Sequence, residues 1–424
     1  MMGYKVFKFG GASVKDAAAI ENLHEILRRY PDDRLVVVVS AMGKTTNFLE
    51  KVLDAYYHEP EQVEPLVSEL QRRHEDVAVR LVPDPGAILD RIRELFCQLR
   101  GKLSERHANN YDFDYDQIVS FGELLSTSII SMYLNLAGLP NTWLDARRIV
   151  RTDDTYREGR VDWDTTTRQI RDAILQNGNR VFLTQGFIGG TAENHTTTLG
   201  REGSDYSASI MAYALDAESV TIWKDVPGLL NADPKRFPDA VKLDKIPYEE
   251  AVELSYYGAS IIHPKTLKPL QNKQIPLYVK SFFQPDEPGS VITACSEKTT
   301  VPSIIVKDNQ TLLTVFPRDF SFIAVDNLSE LFAVFSQYRI RVNMMQNSAV
   351  SFSICTDAEP HRIQQCVKTL QEKYKVKYNE NVQLITIRHY NKQIIDKVLA
   401  GRTDILRQTS RATIQFVITM NYEL

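Results

Sequence analysis

Tyr4, Lys5, Val6, Phe7, Lys8, Phe9, Gly10, Gly11, Ala12 and Ser13 open the chain's first structural unit. The aromatic and β-branched run from Tyr4 to Phe9 predicts a strand, and the glycine pair ends it. Ile20, Leu23, Leu27 and Tyr30 then recur at helical spacing, one apolar stripe on a helix from about Val14 to Tyr30. Leu35 to Ser40 is the next strand. A strand, a tight turn, a helix and a second buried strand form the repeat of a mainly parallel sheet covered by helices. In such a unit the backbone N–H groups of the turn and the helix N-terminus face whatever sits above it, which makes an anion cradle. The same glycines also fit a plain strand-to-helix connection in which Ser13 caps the helix and Asp16 completes a capping box. Lys8 favours the cradle, because a lysine inside an apolar strand needs a counter-charge or solvent and a phosphate would supply it.

The alternation continues outward. A charged helical tract from about Phe48 to Lys102 is interrupted at Pro83, Pro85 and Gly86, and Gln117 to Ala137 resumes helical periodicity. Arg180 to Gly200 holds two candidate strands around a Gly189, Gly190 turn, Ser219 to Val226 reads as a buried strand, and Glu249 to Tyr257 as a helix. Pro285, Pro288 and Gly289 break the pattern, and a domain boundary is expected near residue 300. Beyond it, a strand, helix, strand, strand series (311–316, 327–338, 340–345, 350–354) is echoed by 382–388, 393–400, 404–406 and 412–418. This predicts two small α+β units in tandem, the second shorter than the first.

At 424 residues, with 43% hydrophobic and 25% charged residues, the chain has the composition of an ordinary globular protein of several domains. A net charge of −4 gives no electrostatic reason to expect nucleic acid. Cys97, Cys295, Cys355 and Cys366 are too scattered for a disulfide framework or a CxxC zinc site, and no metal-ligating set is expected. Unbroken apolar runs such as Leu35 to Val39 are far short of the roughly 20 residues that span a bilayer. No membrane partner is expected, and a reducing, cytoplasmic setting is.

Further candidate chemistry sits in loops after strands. Ser40, Ala41, Met42, Gly43, Lys44, Thr45, Thr46, Asn47 suggests a P-loop, but Val38 stands where its first glycine belongs, and no GxGxxG occurs. Phe121, Gly122, Glu123 puts a carboxylate at the entry to an apolar helix, where it also answers the helix dipole. Leu199 to Ala208 (LGREGSDYSA) ends a strand and begins a helix with Ser204 and Asp205 as candidate caps. Arg201 beside that helix start is a ready carboxylate site. Trp223 to Gly228 and Asp233 to Lys235 form a polar loop suited to a nucleotide edge or to plain surface. His263 reads as structural, and the Met344, Met345 pair as core.

Taken together, KFGGAS at 8–13, SAMGKTTN at 40–47, FGE at 121–123, LGREGSDYSA at 199–208, WKDVPGLLNADP at 223–234 and GASIIHP at 258–264 closely resemble the aspartate kinases of the amino-acid kinase superfamily. The resemblance implies an αβα sandwich over residues 1–300, an ACT-like regulatory unit over 301–380 and a shortened second one over 381–424, both ferredoxin-like. It implies transfer of the ATP γ-phosphoryl group to the side chain of L-aspartate with Mg²⁺, regulation by an amino acid, and a homodimer through the ACT units. By motif match, Lys8, Gly10, Gly11 and Ser13 would hold phosphates, and Lys8 and Asp205 would serve the chemistry. Glu123 would take the substrate amine, Arg201 its α-carboxylate, and Thr46, Gly203 and Ser204 the rest of the pocket. Lys224, Asp225, Leu230, Lys235 and Ser260 would line the nucleotide, and Val342, Asn343, Gln346 and Asn347 an effector.

Several positions depart from the family pattern. Ala12 stands for Thr, Glu202 for a second Gly, Leu230 for Tyr, Lys235 for Arg, and Ser260 for a lysine that reaches the nucleotide, a charge that Lys224 or Lys265 would have to supply. Asn343 stands where lysine-inhibited members often carry Asp. A kinase-like amino-acid sensor without turnover is the alternative from another class; glutamate 5-kinase or uridylate kinase chemistry fits the motifs less well.

Overall fold

The computed structural model describes residues 3–105, 110–259, 262–295, 301–319, 321–357 and 359–419. Ser260 lies outside these. The chain divides into two compact units: residues 1–229, 242–252 and 261–297 form one, and 230–241, 253–260 and 298–424 the other.

The first unit is built on an eight-stranded sheet. Its order is Lys245–Pro247, Ser290–Thr293, Leu277–Ser281, Ser219–Lys224, Tyr4–Phe9, Arg34–Val39, Val181–Gln185 and Thr142–Leu144. From Leu277–Ser281 to Thr142–Leu144 every neighbouring pair is parallel, whereas Ser290–Thr293 runs antiparallel to Leu277–Ser281. The centre is apolar on both faces, as a doubly covered parallel sheet requires: Leu35, Val36, Val37, Val38 and Val39 are all fully buried. Each such side chain contributes about 1.5–3 kcal/mol of burial. Phe9 pairs with Val39 and with Trp223, and Val39 with Gln185, so four strands end level with one another. The turns that follow them therefore start side by side, at the carboxyl end of the sheet where open α/β folds hold their ligands.

The helices differ in detail from the sequence expectations. Residues Gly11–Val14 form a 3₁₀ turn, and the helix proper is Ala17–Arg28. Asp16 is itself the cap, accepting from Ala19 N, and Ser13 caps nothing. The charged tract is three helices, Thr45–His58, Pro60–Leu81 and Gly86–Ser104, and the next is two, Tyr111–Val119 and Phe121–Leu136. Phe121–Leu136 buries 13 of its 16 residues, as its apolar composition demands. Gly189 and Gly190 belong to the strand Ile188–Gly190, paired with Thr196–Thr198, and are not a turn. They are glycines because a Cβ on Gly190 would lie 2.2 Å from the Arg147 carbonyl oxygen.

The second unit carries a six-stranded antiparallel sheet ordered Met344–Asn347, Phe352–Thr356, Ser303–Pro317, Tyr374–Arg388, Thr413–Thr419 and Asp404–Thr409. Two 15-residue strands, Ser303–Pro317 and Tyr374–Arg388, run through both halves. Leu313, Val315, Leu331, Phe335, Phe352 and Ile354 fill one core, and Ile304, Ile385, Ile387, Val398 and Phe416 a second. The short second half is completed by Ser303 to Lys307, which pairs with Leu384 to Arg388. Met344 is buried, but Met345 is 49% exposed, because consecutive residues of an edge strand face opposite sides.

Candidate active site

Lys8 stands on the central strand between Val38 and Ile222 and is itself buried. Its ammonium lies 2.6 Å from Oδ1 of Asp205, whose side chain is also buried. Asp205 sits in the first turn of the helix Gly203–Leu215, so the counter-charge that Lys8 needs comes from within the chain. Neither Ser204 nor Asp205 caps this helix. Glu202 occupies the cap position in the left-handed region, φ 54° and ψ 27°, with no side-chain bond to the helix it starts.

Gly10 and Gly11 leave the strand beneath Lys8. Gly43 N donates to the Gly11 carbonyl at 3.0 Å, which ties the two glycine-containing turns together. Ser13 N donates to Gly10 O at 2.9 Å, and Ser13 Oγ lies 3.5 Å from the Trp223 carbonyl it donates to. A methyl group on Gly11 would sit 2.7 Å from Gly43 O and 2.8 Å from Ala41 O. Backbone oxygens cannot swing aside, so Gly11→Ala must part the turns. We expect it to cost about 1–3 kcal/mol of stability, read by thermal denaturation.

Glu123 enters from the helix Phe121–Leu136 and is 2% exposed. Its Oε1 accepts from Ala41 N at 3.2 Å, while Oε2 has no hydrogen-bond partner. Burial pushes its carboxyl up to about 8, against a smaller opposing pull from the Ala41 amide. The unpartnered oxygen is costly to bury, and its carboxyl is ionised only when a cation comes beside it. Gly122 makes the approach possible, since a Cβ there would meet Ala41 Cβ at 2.9 Å. Thr46 lies half-buried in the first turn of Thr45–His58.

The turn before Gly203 is held from two sides. Asp116, on Tyr111–Val119, accepts from Thr198 Oγ1 at 2.7 Å, Thr198 N at 2.9 Å and Arg157 N at 2.9 Å. Burial raises its carboxyl to about 6 in spite of those donors. Gly203 packs so closely that a Cβ would lie 2.7 Å from the Phe187 ring. Ser204 is half-buried and abuts Gly186, whose added Cβ would meet Ser204 Cβ at 2.6 Å. Arg201 is exposed and makes no hydrogen bond or ion pair with the described residues. His263 is structural: its Nδ1 accepts from Lys265 N at 3.1 Å and caps Pro264–Lys273.

Lys8, near the end of its strand, and Gly10, Gly11, Ser13, Thr46, Glu123, Gly203, Ser204 and Asp205, in turns or first helical turns, thus stand at one end of one sheet. Lys224 ends the strand Ser219–Lys224, and Asp225 follows it, exposed. Leu230 and Lys235 belong to the second compact unit, where Lys235 N donates to Asp233 Oδ1 at 2.9 Å. In that unit Asn343 N donates to Cys355 O at 2.8 Å. Its side-chain oxygen accepts from Lys307 Nζ at 3.0 Å, and its Nδ2 donates to Gln310 Oε1 at 2.9 Å. Val342 joins the neighbouring core, and Gln346 and Asn347 are exposed on the edge strand Met344–Asn347. The roles of Ala41, Asp116 and Gly186 were not legible in the sequence, because each acts through contacts made only by folding.

The family model of the amino acid kinase family matches residues 3–281. Aspartokinase 1, chloroplastic, of Arabidopsis thaliana is 33% identical over 364 residues, which cover 83% of this chain and 63% of that protein. The lysine-sensitive aspartokinase 3 of Escherichia coli is 31% identical over 357 residues, 83% of this chain and 78% of that one. The chain spans under two thirds of the length of the first Arabidopsis relatives, 63% and 66%. The structure of E. coli aspartokinase III in complex with aspartate and ADP (R-state) aligns with a TM-score of 0.83 at 26% identity, covering 98% of this chain and 96% of that chain. Its complex with lysine and aspartate (T-state) aligns with a TM-score of 0.82 at 27% identity and the same coverage. The chain belongs to the amino acid kinase family and, within it, to the aspartokinases.

Proposed function

We propose that this protein transfers the γ-phosphoryl group of ATP to the side-chain carboxylate of L-aspartate, giving 4-phospho-L-aspartate. The observation that carries this is the buried Lys8–Asp205 pair beside the glycine turn, with Glu123 buried at the same end of the sheet and one oxygen unpartnered. An aspartate side chain with a pKa of about 3.9 is ionised at neutral pH, so the nucleophile needs no general base. Catalysis then rests on alignment and on positive charge placed where the transferring group gathers negative charge. Lys8 supplies that charge, and Asp205 orients it. Glu123 takes the substrate ammonium, Arg201 its α-carboxylate, and Thr46, Gly203 and Ser204 shape the pocket. Gly10, Gly11 and Ser13 hold phosphates, with Lys224 and Asp225 toward the nucleoside.

No group of three or more His, Cys, Asp or Glu side chains stands together among the described residues. That suits Mg²⁺ held chiefly by phosphate oxygens, with the Asp205 carboxylate at hand. When bound, Mg²⁺ would neutralise phosphate charge. An amino-acid effector at Val342, Asn343, Gln346 and Asn347, of the class seen with the E. coli relative, would have to exchange the bonds Asn343 now makes. A homodimer through the second unit is supported by Phe322, Val325, Phe332, Met345 and Val350, all at least 40% exposed. Sedimentation of the full chain should give a dimer, and a monomer at micromolar concentration contradicts that part. No described helix is long and apolar enough to cross a membrane.

The test is ADP release from MgATP with L-aspartate, with L-glutamate and with no acceptor. Aspartate-dependent release is the expected result, and the amino acid that suppresses it would name the effector. Binding of ATP or an amino acid without turnover would make the protein a sensor.

A further inference from the structure

Asn343 already carries a cation. Lys307 leaves the strand Ser303–Pro317 where its pairing with Tyr374–Arg388 shifts register, between Lys307 and Gln310. Its ammonium donates to Asn343 Oδ1 at 3.0 Å. On the other side of the amide, Asn343 Nδ2 donates to Gln310 Oε1 at 2.9 Å, and Gln310 is 2% exposed. The buried Cys355 thiol reaches the same Gln310 oxygen at 3.9 Å. Turning the Asn343 amide round would set its oxygen against that buried acceptor, so the oxygen stays toward Lys307. The lysine stem is held as well. Gly258, at φ 103°, lies so close that a Cβ there would meet Lys307 Cε at 2.2 Å.

The neighbouring carboxylates leave this arrangement intact. Asp308 is taken by Arg236 and Gln383. Asp357 acts with Lys307, in the opposite sense, on the Cys355 thiol, but it is exposed and screened by water. An effector with a cationic side chain would therefore bring a second positive charge beside the Lys307 ammonium, and the Asn343 oxygen it would use is occupied. Displacing Lys307 gains nothing, because one cation is exchanged for another while the stem stays beneath Gly258. A neutral side chain meets no such repulsion, and a carboxylate would pair with Lys307 directly.

We propose that Lys307 is the specificity-determining residue of the effector site: it bars amino acids with a cationic side chain and leaves the site to those whose side chain is neutral or acidic. This rests on the effector placement at Val342, Asn343, Gln346 and Asn347 proposed above.

The experiment measures how L-lysine, L-arginine, L-glutamate and each neutral amino acid suppress aspartate-dependent ADP release from MgATP. The full chain is compared with Lys307→Met, which keeps a stem beneath Gly258 without the charge, and with Lys307→Glu. Each protein is referred to its own uninhibited rate, with its thermal midpoint as the control for folding. The parent should respond to at least one neutral or acidic amino acid, and at least about tenfold more weakly to L-lysine and L-arginine. Lys307→Met should tighten the inhibition constant of L-lysine by about tenfold, and Lys307→Glu by more. L-lysine acting on the parent as strongly as any other amino acid would overturn the proposal. So would an L-lysine constant unchanged in both variants. If turnover occurs and no amino acid suppresses it, the effector placement fails and takes this proposal with it. If the parent shows no aspartate-dependent turnover, the functional reading fails instead. Calorimetric titration of the same amino acids into parent and variants then decides the role of Lys307: L-lysine binding the parent as tightly as the others, or no amino acid binding at all, would overturn it.

Discussion

Lys8→Ala should lower kcat for aspartate phosphorylation by at least about a hundredfold, roughly 2.7 kcal/mol of lost transition-state stabilisation. The variant is also expected to be less stable, because it strands Asp205, 4% exposed, as an unpaired carboxylate. Breaking a buried pair on one side typically costs about 3–5 kcal/mol. A fall in activity alone would therefore be ambiguous. The double variant Lys8→Met/Asp205→Asn removes both charges and should recover much of the thermal midpoint, yet it must stay as slow as Lys8→Ala. Recovery of turnover along with stability would show that Lys8 merely neutralises Asp205.

Glu123→Gln should have opposite effects on the free protein and on its complex. In the free protein the carboxyl titrates near pH 8 instead of near 4.5, since burial disfavours the charged form. A raised carboxyl pKa means that folding is fully favoured below the unfolded value and penalised increasingly as pH rises toward 8. The neutral amide escapes that penalty. Glu123→Gln should match the parent near pH 4.5 and exceed it by about 1–3 kcal/mol at pH 8.5 and above. The complex should show the reverse. An ammonium beside Oε2 favours the ionised carboxylate, so aspartate binding at pH 7 should release a proton and tighten as pH rises toward 8. Glu123→Gln should lose that proton release and bind L-aspartate about tenfold or more weakly. Calorimetry in two buffers of different ionisation enthalpy measures both, and a variant that binds aspartate normally would remove Glu123 from the substrate site.

Much of this was legible in the sequence where local chemistry and the fold agree. The Tyr4–Phe9 strand, its glycine turn and the valine-rich Arg34–Val39 strand follow from composition and period alone. Lys8 stood out because a cation in an apolar strand must find a partner, although the partner is Asp205, almost two hundred positions away in sequence. The tandem repeat after residue 300 was visible as a strand and helix series. Its shared strands were not, since register across Ser303–Pro317 is a tertiary fact. The expected caps at Ser13, Ser204 and Asp205 failed for a common reason. Each was assigned by residue type, whereas the Asp16 side chain caps one helix and the other starts at Glu202, in a conformation normally left to glycine and with no side-chain cap. Gly189 and Gly190 misled similarly, being small to admit the Val150 and Arg147 carbonyls rather than to turn the chain.

The identity of the phosphorylated group is the central claim, and hydroxylamine tests it most directly. Purified protein is incubated with MgATP, L-aspartate and hydroxylamine, and the product is resolved by mass spectrometry. An aspartyl β-hydroxamate, formed in step with ADP and absent without L-aspartate, is the predicted result. ADP formed at the same rate without aspartate, or with no hydroxamate, would contradict the account.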